Sequence, residues 1–141
     1  MLNQCSVKWR LLACLFFLTA SLAGDPDAKG AARKAALEWL ALVDSGQYSE
    51  SWNEAATLFK GKVSSSQWAR VIRSARGPLG PMRSRSFHGA VYKTELPGAP
   101  DGEYVVIQYQ VAFENKADAV ETITPMLDKD GVWRVSGYFI R

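Results

Sequence analysis

VVIQYQVAF, residues 105–113, alternates: Val105, Ile107, Tyr109, Val111 and Phe113 stand on one side, and Val106, Gln108, Gln110 and Ala112 on the other. Successive side chains leave a pleated backbone on opposite faces, so a period of two marks a strand with one buried face. The stretch predicts a strand over 103–114. Three similar segments surround it, at 83–95, 119–127 and 132–140. The links between them are short and turn-like: Pro97-Gly98-Ala99-Pro100-Asp101-Gly102, Asn115-Lys116-Ala117-Asp118 and Asp128-Lys129-Asp130-Gly131. Short links join antiparallel neighbours, because a parallel crossover needs a dozen residues or more.

Pairing residues symmetrically about those turns gives a simple meander. It sets Phe113 against Val120, Val111 against Thr122 and Ile107 against Met126. The last hairpin then sets Met126 against Trp133, Thr124 against Val135 and Val120 against Phe139. Phe87 and Val91 of the first strand join the same apolar face. A slip of one residue would turn a whole strand over, so the shared face is a strong constraint on register.

The chain before residue 82 reads as helices. Ala32, Ala36, Trp39, Leu40 and Val43 recur at steps of three and four within Asp27–Ser45, and Gly46 stops the helix. A short second helix is expected over Ser49–Lys60, with Ser51 and Glu54 at capping-box spacing. A third is expected over Ser65–Arg76, with Ser64 and Gln67 at that spacing and Trp68, Val71, Ile72 and Ala75 as its apolar stripe. Gly77-Pro78-Leu79-Gly80-Pro81 ends it, since proline cannot continue a helix. The expected fold is α+β: three N-terminal helices packed on a curved four-stranded antiparallel meander sheet.

Residues 1–23 read as an export signal. Lys8 and Arg10 precede an apolar run from Leu11 to Leu22, and Ser21-Leu22-Ala23 offers a small-x-small cleavage site. The run is shorter than the ~20 apolar residues a membrane span requires. Leu11-Leu12-Ala13-Cys14 has the look of a lipidation box, but the apolar run continues through Leu15–Leu18 beyond the cysteine, which argues against an anchor there. The expected organisation is a signal at 1–23, a linker at 24–31 and one domain at 32–141, periplasmic or secreted after cleavage near Ala23. Both cysteines, Cys5 and Cys14, would leave with the signal, which excludes disulfides and thiolate chemistry from the mature chain. Loss of Lys8 and Arg10 takes the formal charge from +3 to +1, so nothing calls for a polyanionic partner such as nucleic acid.

Three residue groups are candidates for function. Tyr109, Thr122 and Thr124 are expected on the inner sheet face, where with Trp52 they would line a pocket between sheet and helices. His88, Gln110, Glu121, Arg134 and Tyr138 are expected as a polar group on the outer face. There a His–Glu–Tyr set suits general acid–base work only if it sits in a cleft. Arg70, Arg73, Arg76, Arg83 and Arg85 lie in a run with no acid between Glu54 and Glu95, and predict a basic patch along the third helix. His88 is the one histidine in the chain, so no metal site is expected, and no cofactor is called for.

SWNEAATLF (51–59), RGPLGPMRSR (76–85), LPGAPDGEYVVIQY (96–109) and VETITPMLDKDGVWRVSGYFI (120–140) resemble the bacterial domain-of-unknown-function family 4019, over Ala32 to Arg141. That resemblance implies a small exported bacterial protein and carries no assigned activity. In architecture alone the expected fold is similar to cystatin-like and nuclear-transport-factor-2-like cones. The functional expectation is a non-enzymatic module that binds an envelope component or itself, through an outer face carrying Tyr92, Tyr104, Val106, Ile123 and Ile140. The alternative is a small-ligand carrier or enzyme with a cavity between sheet and helices.

Overall fold

A computed structural model describes residues 26–141; the signal read at 1–23 lies outside them. Helix α1 spans Pro26–Asp44 and buries Ala32, Ala36, Trp39, Leu40 and Val43, the residues its periodicity selects. It ends in a Schellman motif: Gln47 N–H donates to the Leu42 carbonyl (2.9 Å) and Gly46 N–H to that of Val43 (3.1 Å). Gly46 takes φ +76°, where a side chain would be strained.

The expected second helix is two: α2, Tyr48–Asn53, and α3, Thr57–Lys62. Ala55 and Ala56 between them are fully buried. Ala56 is extended, and its N–H donates to the Val135 carbonyl of the sheet (2.8 Å). That bond takes the donor a continuous helix would need. The Asp128 carboxylate then accepts from the Thr57 N–H at the start of α3 (3.1 Å). Ser51, expected as a cap, is instead a buried hub. Its hydroxyl donates to the Tyr48 carbonyl (2.8 Å) and accepts from the Trp68 indole (2.9 Å), and its carbonyl accepts from the Trp39 indole (2.7 Å).

Helix α4 spans Ser65–Arg76 and carries the expected Ser64–Gln67 capping box. Its buried stripe is Trp68, Ile72 and Arg76, one residue every four; Val71 is exposed. A 3-10 turn over Gly77–Leu79 leads to Gly80, at φ +71°, and into the sheet.

Strands β1 (Met82–Lys93), β2 (Tyr104–Phe113), β3 (Lys116–Leu127) and β4 (Trp133–Ile140) form an antiparallel meander in that order, as expected. The register differs. The β2–β3 connection is a two-residue turn at Glu114-Asn115, with Phe113 opposite Lys116. That turn alone moves the expected pairing by four residues, and a register irregularity between Val111 and Phe113 brings the shift to three, so that Ile107 meets Ile123 and Tyr109 meets Glu121. The shift is odd, so β3 turns over: Ala119, Glu121, Ile123 and Pro125 face the helices, and Val120, Thr122 and Thr124 face outward.

Strand β4 changes face midway. Pro125 is opposite Val135 and Thr124 opposite Gly137, leaving Ser136 as an extra residue. Pro125 has no N–H to give the ladder, and a bulge accommodates the gap. Trp133 and Val135 point inward as expected, but beyond the bulge Tyr138 and Ile140 do so while Phe139 is exposed. A bulge at His88 does the same in β1: Phe87 pairs with inward Tyr109, and Val91 pairs with Val106 and is exposed. The outer face expected to carry Tyr92, Tyr104, Ile123 and Ile140 is corrected accordingly. Tyr92 and Ile140 pack on the core, Ile123 is buried, and Tyr104 lies under the β1–β2 loop with its hydroxyl bonded to the Pro100 carbonyl (2.6 Å). Val106 is on the outer face as expected.

Candidate functional site

Five elements meet at a cluster of charge between sheet and helices. Arg85 of β1 grips two carboxylates. Its Nε donates to Glu121 Oε2 of β3 (2.7 Å) and its Nη1 to Asp44 Oδ2 of α1 (2.7 Å). Arg76 of α4 donates to Asp44 Oδ1 (2.7 Å) and to the Tyr138 hydroxyl of β4 (3.3 Å). Tyr138 in turn donates to Glu121 Oε1 (2.5 Å). Two guanidinium and two carboxylate charges cancel. Glu121 has no solvent exposure and Arg76 only 7%. Isolated charges at that depth would be costly, and they are tolerated because each has an opposite partner in hydrogen-bonding geometry. Arg76 also lies over the Phe113 ring (4.8 Å), which leaves its Nε buried without a hydrogen-bond partner among the described residues.

The electrostatics follow from that packing. Burial pushes the Asp44 carboxyl up, but hydrogen bonds from Arg85 and Arg76 outweigh it and hold the carboxyl below its usual range. Burial, then the Glu121 carboxylate, pushes the Tyr138 phenol far above its usual range. Burial would depress Arg85, but its carboxylate partners more than reverse this. Carboxylates engaged in this way hold elements together. Beside the cluster, the rings of Trp39, Phe59, Trp68 and Tyr138 pack edge-on or tilted at centroid separations of 5.0–6.4 Å.

Against this geometry, the expected groups regroup. Of the pocket set, Tyr109 faces inward and is 2% exposed, its hydroxyl making no hydrogen bond of good geometry among the described residues; burial raises its pKa and nearby Arg33 lowers it less. Thr122 and Thr124 lie on the opposite face, where Thr122 accepts from Gln108 (3.4 Å) and the Thr124 carbonyl accepts from Ser136 (2.7 Å). Trp52 donates to the Val63 carbonyl (2.7 Å) near α3. These four do not form one pocket.

Of the outer polar group, Glu121 and Tyr138 do pair, but inside. His88 stays exposed at the β1 bulge, Gln110 donates to Asp118 (2.6 Å), and Arg134 pairs with Asp130 (2.8 Å) and Asp128 (3.3 Å) at the β3–β4 turn. The basic patch divides too. Arg70 and Arg73 are exposed and Arg83 pairs with Glu114 (3.0 Å), while Arg76 and Arg85 are interior. Asp44 was absent from every expected group. Its position, one turn beyond Leu40 at the end of an otherwise apolar stripe, was the available signal.

Surface clefts lie at the rims of the sheet. One of about 350 Å³ between α1 and β4 is lined by Trp39, Leu42, Trp133 and Val135. Another of about 510 Å³, by the β3–β4 turn, is lined by Leu58, Met126, Asp101 and Asp130. Among the described residues no three His, Cys, Asp or Glu side chains gather to hold a metal ion, and no helix is long and apolar enough to cross a membrane.

The molecule is thus a two-layer α+β domain with one sheet face sealed on the helices by an ionic cluster and the other covered by no described helix. Residues 35–138 match the family model described as protein of unknown function (DUF4019), and the chain belongs to that family. Neither the curated proteins nor the solved structures contain a match.

Proposed function

We propose that this chain is an exported, non-enzymatic binding module of the bacterial cell envelope, periplasmic or secreted after cleavage near Ala23. It engages an envelope component or another copy of itself through the outer face of its sheet. One observation carries the reading: among the described residues no helix covers that face, and at opposite edges it exposes Val91 by 53% and Phe139 by 60%. Large apolar side chains left in water on a regular, rigid surface favour a partner that covers them. The interior carboxylates support a binding role over a catalytic one, since both are held in ion pairs with Arg76 and Arg85.

Placing a photo-crosslinking residue at position 139, and separately at 71 on exposed α4, tests this in cells. The expected result is a crosslinked species recovered from the periplasm for position 139 and not for 71. Equal crosslinking at both, or retention in the cytoplasm, would sink it. The cleft between α1 and β4 sustains the second reading, a small-ligand carrier, because Trp39 and Trp133 both line it. A reproducible small mass retained by the purified protein would favour it.

A further inference from the structure

Two glycines and two large apolar residues on the edge strands of the outer face form a checkerboard. In one cross-strand row Gly89 is opposite Gln108, Gln108 opposite Thr122 and Thr122 opposite Phe139. In the next row Val91 is opposite Val106, and Thr124 is opposite Gly137, with Val106 and Thr124 brought together by the β2–β3 register. Each edge strand thus carries one large apolar residue and one glycine, and the order is reversed between the two edges. A Cβ at Gly89 would meet nothing within 4 Å, and one at Gly137 only the Thr124 side chain at 3.7 Å. Both glycines are shallow holes, and neither has the positive φ that would demand glycine.

We propose that this face binds a second copy of the chain, an inference that rests on the binding-module reading above. A two-fold axis across the strands, lying between two facing sheets, brings Val91 of each copy over Gly89 of the other. The same rotation brings Phe139 over Gly137. Every knob then meets a hole, which is the self-complementarity an isologous interface requires. The two central rows hold no charged residue, so pairing them strands no ion; charge depletion at the centre is the usual mark of an interface core. Lys93 and Arg134 lie on β1 and β4 at the same end of the face. An axis along the strands would stack them on each other, whereas the axis across the strands keeps them apart. Four strands ~4.8 Å apart and about ten residues long present roughly 600 Å² of flat face. That approaches the ~800 Å² of accessible surface per partner that a standard interface covers.

Sedimentation of the processed chain between about 1 and 100 µM tests the proposal. The expected result is a monomer–dimer equilibrium weakened at least tenfold by Phe139→Ser and by Gly89→Leu, which fills a hole without touching the monomer core. Val71→Ser on exposed α4 should leave it unchanged. Thermal unfolding of the variants, read at a dilution where wild type is monomeric, checks that each still folds. A dimer that survives both outer-face variants overturns the proposal. A chain that stays monomeric throughout but crosslinks to another protein from position 139 overturns the second copy and leaves the binding-module reading standing. A monomer that crosslinks to nothing removes both.

Discussion

Glu121 has no access to water, and its charge is met by Arg85, Arg76 and Tyr138 rather than by solvent. Removing one member of such a cluster leaves opposite charges buried and underpaired. Glu121→Ala should therefore cost about 3 kcal/mol or more of folding stability, read by urea unfolding. Tyr138→Phe removes a single hydroxyl from the same cluster and should cost about 1 kcal/mol. The pH dependence has a definite sign. Asp44 is held below its unfolded pKa of ~3.9, so its contribution is present above that pH and is lost as pH falls through the lower folded value. Acid titration of stability should show that loss, and Asp44→Asn should flatten it. Tyr138 runs the other way: its folded pKa lies above the unfolded ~10, so stability falls as pH rises beyond about 10, and Tyr138→Phe should blunt the fall. At this scale the sequence misled for a physical reason. An arginine among Arg70, Arg73 and Arg76 reads as solvated, because unpaired burial is costly, and nothing local announces that Asp44 and Glu121 wait on other elements to pair it.

The elements were more legible than their register. Alternation in β2, the Ser64–Gln67 capping box and the Schellman glycine at 46 are local signals, and each appears where its chemistry puts it. The β3 face was not legible, because Glu114-Asn115 rather than Asn115–Asp118 closes the hairpin, and an irregularity between Val111 and Phe113 that no local residue announces makes the shift odd and inverts the strand. Pro125 was the visible hint of a bulge, but a proline does not say on which strand the extra residue falls. The break between α2 and α3 depends on a bond from Ala56 to Val135, far away in the chain. Two glycines separate local strain from open space. Gly80 combines φ +71° with Asn115 Nδ2 and Glu114 Cβ only 3.1 and 3.2 Å from where a Cβ would stand. Gly80→Ala should destabilise by about 1 kcal/mol or more. Gly61, in α3 with nothing nearby, should give about 0.5 kcal/mol of added stability as Gly61→Ala. Thermal unfolding of the pair measures both.

For the whole molecule, the two faces of the sheet have different tasks. The inner face closes on the helices through Arg76, Asp44, Arg85 and Glu121, which tie α1, α4, β1 and β3 together. The outer face exposes Val91 and Phe139, which the proposed binding role makes its anchors. Native mass spectrometry of the protein recovered from the periplasm, wild type beside Phe139→Ser, reads processing and assembly in one spectrum. The account predicts a chain lacking residues 1–23, held in a complex that Phe139→Ser dissolves into folded monomer. An unprocessed chain, or a wild-type protein that is monomeric like the variant, would contradict it.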